Sequence, residues 1–329
     1  MARFRHDLPQ LAGGVFLTDS GLETDLIFHH GYDLPFFAAF VLLEDKEGTD
    51  VLRRYYREHA AVAGAGGAGF VLEAPTWRAS PDWGDRMGYP PERLAAVNRR
   101  GVDLLVGIRA ELPDGTGPVV VSGCVGPRGD GYRPAELMTA EAAEAYHATQ
   151  VGTFAGTEAD LVTAMTITYA AEGIGIARAA AEVGIPSVIS FTVETDGRLP
   201  DGTPLGEAVA AVDEATGGAP ANDAGGAPAY YAGGAPAYYM VNCAHPDHFG
   251  PALEPGAAWT ERVRGVRANA SRRSHAELDE AEELDEGDPR ELGLQYARLR
   301  DQLPGLTVLG GCCGTDVRHV REIAAACLA

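Results

Sequence analysis

Short apolar runs recur along the whole chain, at 15–18, 69–73, 119–123, 160–166, 187–191, 239–243, 263–268 and 307–310. Each is of strand length and rich in branched or aromatic residues. Longer stretches with helical patterning separate them, at 51–63, 91–112, 141–157, 172–183, 204–216, 288–303 and 316–328. Strands that alternate with helices predict a parallel sheet wound by right-handed crossovers. Eight such units in 329 residues fit a single-domain α/β protein, a (β/α)₈ barrel of the TIM type, spanning 1–329. Its chemistry is expected at the C-terminal ends of the strands. A doubly wound open sheet would carry a Gly-rich phosphate loop after its first strand. Here Asp19-Ser20-Gly21-Leu22-Glu23-Thr24 follows instead.

One segment breaks the rhythm. An eight-residue unit beginning Gly-Gly-Ala-Pro-Ala occurs three times in succession, at 217–224, 225–232 and 233–240. It is too short and too rich in Gly, Ala and Pro to be a folding repeat. It reads as an extended helix-to-strand loop, lengthened by duplication, on the face of a barrel opposite the chemistry.

Composition narrows the function classes. Lys+Arg 26 against Asp+Glu 47 gives a net charge of −21, which argues against a nucleic-acid or anionic-membrane surface. No apolar run is long enough to span a bilayer. The basic N-terminus lacks the apolar core of a secretory signal. Five cysteines show no disulfide-framework spacing, so a reducing, cytoplasmic setting is expected. The acidic run at 277–286 reads as a solvated loop or helix face.

The most informative chemistry lies in Gly310-Gly311-Cys312-Cys313-Gly314-Thr315. A regular strand sends successive side chains to opposite faces, so adjacent cysteines serve one site only where the strand has ended. The flanking glycines supply that freedom. A third cysteine, Cys243, closes another strand-like run. Three thiolates at the ends of two strands form a soft, negative pocket suited to zinc. The alternatives are small-residue packing and a disulfide, although adjacent cysteines bridge only in a strained ring. Trp77, Trp83 and Tyr89 offer a cation-binding wall or ordinary loop packing. His245 and His248 read as supporting or helix-start residues rather than ligands.

These residues resemble the homocysteine S-methyltransferases, zinc-dependent (β/α)₈ barrels, over nearly the whole chain. The likeness is most specific at Asn242-Cys243-Ala244-His245-Pro246 and at the Cys312-Cys313 segment. It implies zinc ligation by Cys243, Cys312 and Cys313. It also implies methyl transfer from a small-molecule donor to the thiol of homocysteine, giving methionine. The element around Asp19, Ser20 and Gly21 looks like the family's Asp-Gly-Gly turn, which helps hold homocysteine. Asn242 and Asn269 fall in matching segments and are expected to border the substrate, with Asn269-Ala270-Ser271 in place of the family's Asn-Ser-Gly.

Two departures stand out. Ser20 replaces the first glycine of the turn. Met165 falls where many members carry a glutamate that engages the amino group of homocysteine. A thioether cannot accept a comparable bond from ammonium. Glu73, ending the second strand, is expected either to take over that contact or to be a carboxylate on the solvated rim. Three thiolates on Zn²⁺ leave one tetrahedral position for a substrate thiol. The resulting negative charge favours a cationic donor, a sulfonium or quaternary ammonium ion. A barrel that binds or methylates a different small thiol is the alternative.

Overall fold

The computed structural model describes residues 1–113, 115–133, 136–218 and 234–328. Eight strands close into one parallel barrel in sequence order. They are β1 (Phe16–Thr18), β2 (Gly69–Glu73), β3 (Val119–Val125), β4 (Leu161–Ile167), β5 (Ser187–Phe191), β6 (Tyr238–Asn242), β7 (Val263–Ala268) and β8 (Val308–Gly311). Closure comes from Phe16, which pairs with Gly69 on one side and Val308 on the other. Every expected strand is present; β2, β5 and β7 keep the expected bounds and the others have an end displaced by one or two residues.

Alternation along the strands divides two cores. Phe16, Val71, Val120, Leu161, Val188, Tyr238, Met240 and Val308 pack inside the barrel. Leu17, Phe70, Leu72, Val121, Val162, Ile189, Val241 and Leu309 face outward against the helices. The long helices span Lys46–Ala65, Pro91–Glu111, Ala140–Ala155, Ala170–Glu182, Leu205–Ala215, Pro289–Gln302 and Val317–Cys327. Their starts follow local chemistry. Asp45, Thr139, Asp288 and Asp316 each accept a backbone N–H of the first turn, and Pro91 and Pro289 open their helices where the missing N–H costs nothing. Seven helical segments were expected for eight strands. The short helices Pro246–Phe249 and Ala258–Glu261 fill the place after β6.

The N-terminal segment covers the bottom of the barrel. Leu8 joins the interior core, and Asp160, buried against Arg109 at 2.9 Å, accepts the amides of Arg3 and Phe4. Residues 219–233 of the triple repeat lie outside the described residues. The third copy is not all loop, because β6 already begins at Tyr238.

No helix among the described residues is long and apolar enough to cross a membrane.

Candidate active site

The C-terminal ends of the strands surround a cavity of about 500 Å³, within the usual range for small-molecule sites. Two chain reversals bring the cysteines to it. Cys243 follows β6 with φ of 53° and Thr166, within β4, has φ of 64°. Left-handed backbone at non-glycine residues is uncommon and concentrates at functional sites. At β8, Cys312 and Cys313 follow the last strand residue, and Gly314 turns the chain with φ of 78°. The turn after β1 is pressed onto this segment. A Cβ on Gly21 would collide with the carbonyl of Cys312, so only glycine fits there.

The sulfurs of Cys243, Cys312 and Cys313 all lie within 4.8 Å of one another. Cys243 and Cys312 are joined as a disulfide with Cα atoms 5.4 Å apart, while Cys313 is free. The disulfide considered from the sequence lay between neighbours; the one observed crosses from β6 to β8. Supporting groups hold the sulfurs. Asn242 donates to Thr166 Oγ1 at 2.9 Å and to Cys312 Sγ at 3.9 Å, and its Oδ1 accepts from Thr166 N and Ser190. Thr166 Oγ1 donates to Cys243 Sγ at 3.8 Å. Tyr132, which no sequence signal marked, puts its hydroxyl 3.5 Å from Cys313 Sγ and stacks on His275. Asn242 thus borders the cavity with its amide engaged. Asn269 is buried outside the lining, where it donates to the carbonyl of Cys243. His245 caps the helix Pro246–Phe249 and His248 bonds the carbonyl of Arg272.

Beside the sulfurs lies a buried charge cluster. Arg267 of β7 stands with Nη2 3.0 Å from Asp19 Oδ1 and Nη1 3.7 Å from Glu73 Oε2. It also donates to the carbonyls of Gly311 and Ser20. Glu73 is only 5% exposed, so it is not a solvated rim carboxylate. Burial pushes its carboxyl up to about 7, opposed by the Arg267 charge. Glu73 Oε1 and Asp19 Oδ1 have no hydrogen-bond donor among the described residues. The Arg267 contact to Asp19 supplies charge without bond alignment. Ser20 turns its hydroxyl towards Tyr55 and His59, at 3.0 and 2.8 Å.

The wall and mouth differ from expectation in two ways. Trp77 and Trp83 do line the cavity and do face cations, but these are the chain's own: Arg78, with its guanidinium carbon 3.9 and 4.1 Å from the two rings, and Arg86, 4.5 Å from Trp83. Tyr89 is outside the lining and faces Arg93. The acidic run at 277–286 is more than a solvated face, because Asp279, Glu283 and Asp285 line the cavity. With Asp19, Glu23, Glu73 and Asp130 they oppose only Arg78 and Arg267.

A second group of metal-capable atoms, Asp25, His29 and Asp316, is tied up in ion pairs with Glu286 and Arg318.

Comparison with known proteins gives a consistent answer. The sequence profile of the family described as homocysteine S-methyltransferase matches residues 16–327. Among curated proteins none matches the sequence significantly. The homocysteine methyltransferase MmuM from Escherichia coli, in its metallated form, superposes with a TM-score of 0.72 at 22% identity, covering 98% of this chain and 99% of that one. Its oxidized form gives 0.71 at 23% identity, covering 94% and 95%. At such identity the superposition speaks for the shared barrel, whereas the profile match runs from β1 to the last helix. On that match, the chain belongs to the homocysteine S-methyltransferase family.

Proposed function

We propose that this protein is a zinc-dependent methyltransferase that carries a methyl group from a sulfonium or quaternary ammonium donor to the thiol of homocysteine, giving methionine. The observation that carries this reading is the convergence of Cys243, Cys312 and Cys313 within 4.8 Å at a cavity whose charged lining residues are mostly carboxylates. The donor set suits zinc. A tetrahedral site with Zn–S of about 2.3 Å sets sulfurs about 3.8 Å apart, so the bonded Cys243 and Cys312 sulfurs must part to that distance on reduction. Three protein thiolates leave a place for a fourth ligand. All three are available only with the Cys243–Cys312 bond reduced, which fits a reducing, cytoplasmic setting. Zinc held there supplies the Lewis acidity that keeps a substrate thiol ionised at neutral pH.

The chain's own residues supply the rest. Thr166 and Asn242 hold the Cys243 and Cys312 sulfurs in place. Asp19 and Glu73 present carboxylate oxygens that lack a hydrogen-bond donor, and an ammonium group brings three. Arg267 stands between them, and its charge opposes the burial that raises Glu73. Gly21, and with it Ser20, keeps the first turn tight against Cys312. Asn269 braces the Cys243 peptide from outside the cavity. The excess of carboxylates at the mouth concentrates a cationic donor. Transfer is then a matter of in-line positioning.

Met165 supports a second reading, a different small thiol as acceptor, since it brings a thioether to the cavity where an ammonium contact is expected. Both readings are tested by metal analysis and by methyl transfer to homocysteine from a panel of sulfonium and quaternary ammonium donors. Zinc near one per chain, lost in the Cys243/Cys312/Cys313 triple alanine variant, is expected. Full zinc in that variant refutes the site. Zinc without transfer to homocysteine, but with transfer to another thiol, selects the second reading.

A further inference from the structure

Arg78 is charged, 6% exposed and part of the cavity lining. It follows β2 in the loop that begins after Glu73. Its Nη1 donates to the carbonyl of Gly129 at 2.7 Å, and its Nε has no hydrogen-bond partner among the described residues. Among the described residues no carboxylate lies within ion-pair distance of it, in contrast to Arg109, Arg262 and Arg267. The carboxylate that acts on it most strongly, Asp130, is exposed and accepts the amides of Tyr132 and Arg133.

A buried cation without a counter-charge is costly. The rings of Trp77 and Trp83, both close to the guanidinium, offset part of that cost. They also fix the plane of the guanidinium, because the Trp77 and Trp83 indoles are themselves anchored to the carbonyls of Met165 and Gly129. Stacking satisfies the π-faces and leaves the N–H edge wanting an acceptor. A planar guanidinium held in this way matches a carboxylate in two-point geometry. Arg78 over Trp77 and Trp83, with Arg86 over Trp83, also competes with a cationic donor for these rings.

We infer that Arg78 is a specificity residue that binds the carboxylate of a small-molecule substrate. The inference rests on the methyltransferase reading for the identity of the two substrates. Their shared chemistry is a carboxylate on a small, cation-bearing molecule. The acceptor thiol and the methyl donor are its two possible sources. The backbone donors of the first turn are already engaged, Ser20 N with Tyr55 and Gly21 N with Thr315, whereas Arg78 keeps an unpartnered Nε among the described residues.

The test uses the zinc-loaded protein and matched probes with and without a carboxylate. In the acceptor arm, homocysteine is compared with 3-aminopropanethiol. In the donor arm, dimethylsulfoniopropionate is compared with ethyldimethylsulfonium. Binding is read first, by quenching of tryptophan fluorescence, so the result does not depend on turnover; kcat/KM is read where transfer occurs. The wild type is expected to prefer the carboxylate-bearing probe by about a hundredfold in at least one arm, the scale for leaving a buried charge unpaired. Arg78→Met should collapse that ratio towards one, and Arg78→Lys should keep part of it. The arm that collapses identifies the source. A wild type that discriminates in neither arm, or a ratio unchanged in Arg78→Met, overturns the inference. Preferential binding without transfer from any donor refutes the methyltransferase reading and leaves the carboxylate site standing.

Discussion

Arg267→Met is the perturbation whose consequences follow most directly from the structure. The guanidinium is buried between Asp19 and Glu73 and also bonds two carbonyls. Methionine fills much of the volume and removes the charge. Breaking a buried ion pair by deleting one partner costs about 3–5 kcal/mol. Unfolding entropy of about 2.1 cal/mol/K per residue over a chain of 329 residues gives about 0.7 kcal/mol/K, so the expected drop in melting temperature is about 4–7 °C. The pH dependence tests the cause. Glu73 sits at about 7 in the presence of Arg267, and loss of that charge raises it further. The folded variant then retains a proton that the folded wild type releases. The deficit relative to wild type therefore grows as pH rises through about 7, and is smallest near pH 5, where Glu73 is protonated in both folded proteins. Melting curves of the two proteins across this range are the assay. Equal melting temperatures near pH 8, or a deficit independent of pH, would refute the argument that Arg267 compensates buried carboxylates.

Two further outcomes are expected. Because Glu73 is raised to about 7 by burial, the wild type should lose stability as pH climbs from the unfolded value near 4.5 towards 7, and homocysteine should bind more tightly above pH 7 than below it. Glu73→Gln should remove the Glu73 share of both profiles, leaving the share of Glu23, which burial also raises to about 7, and should raise the homocysteine KM by at least about tenfold; unchanged profiles would remove Glu73 from the site. Gly21→Ala forces a Cβ against the Cys312 carbonyl, so it should cost about 1–3 kcal/mol and reduce zinc content with the barrel retained, as measured by melting and metal analysis. Full zinc with wild-type stability would show that the turn can move aside.

Much of the barrel was legible because its strands are short, apolar and evenly spaced, and because seven intervening segments carry helical patterning. Eight strand-helix units were expected, but the stretch between 243 and 263 carries no long helical pattern, and only short helices form there. The cysteine cluster was readable from two local signals, a glycine-bracketed pair and a strand-end cysteine, since each depends on where a strand stops. The Cys243–Cys312 bond was not. It links positions 69 residues apart, and only the barrel's closure brings β6 and β8 to one floor. The acidic run showed its charge in the sequence. That it lines the mouth depends on how the segment after β7 folds back.

The two arginines show why the polar half of the site escaped. Arg267 stands in the strand run 263–268, and strand parity puts it on the same face as Gly265, whose missing side chain makes room for Met240. Parity therefore marks it as inward-facing. It cannot say that the partners are Asp19 after β1 and Glu73 on β2, because that depends on the circumference of a closed sheet. The same closure makes position-by-position transfer of a site unsafe. Side chains from the ends of any strand reach one cavity, so Glu73 on β2 and Met165 on β4 share a lining. A carboxylate absent from one strand can be supplied by another. The aromatic wall carries the argument one step further. The sequence marks Trp77 and Trp83 as able to face a cation, and they do. Arg78, between them in sequence, is the cation that both rings face. A group that satisfies the wall from within turns a seat for a positive ligand into a grip for a negative one, so the sign of the partner follows from which residue faces the rings and not from the tryptophans.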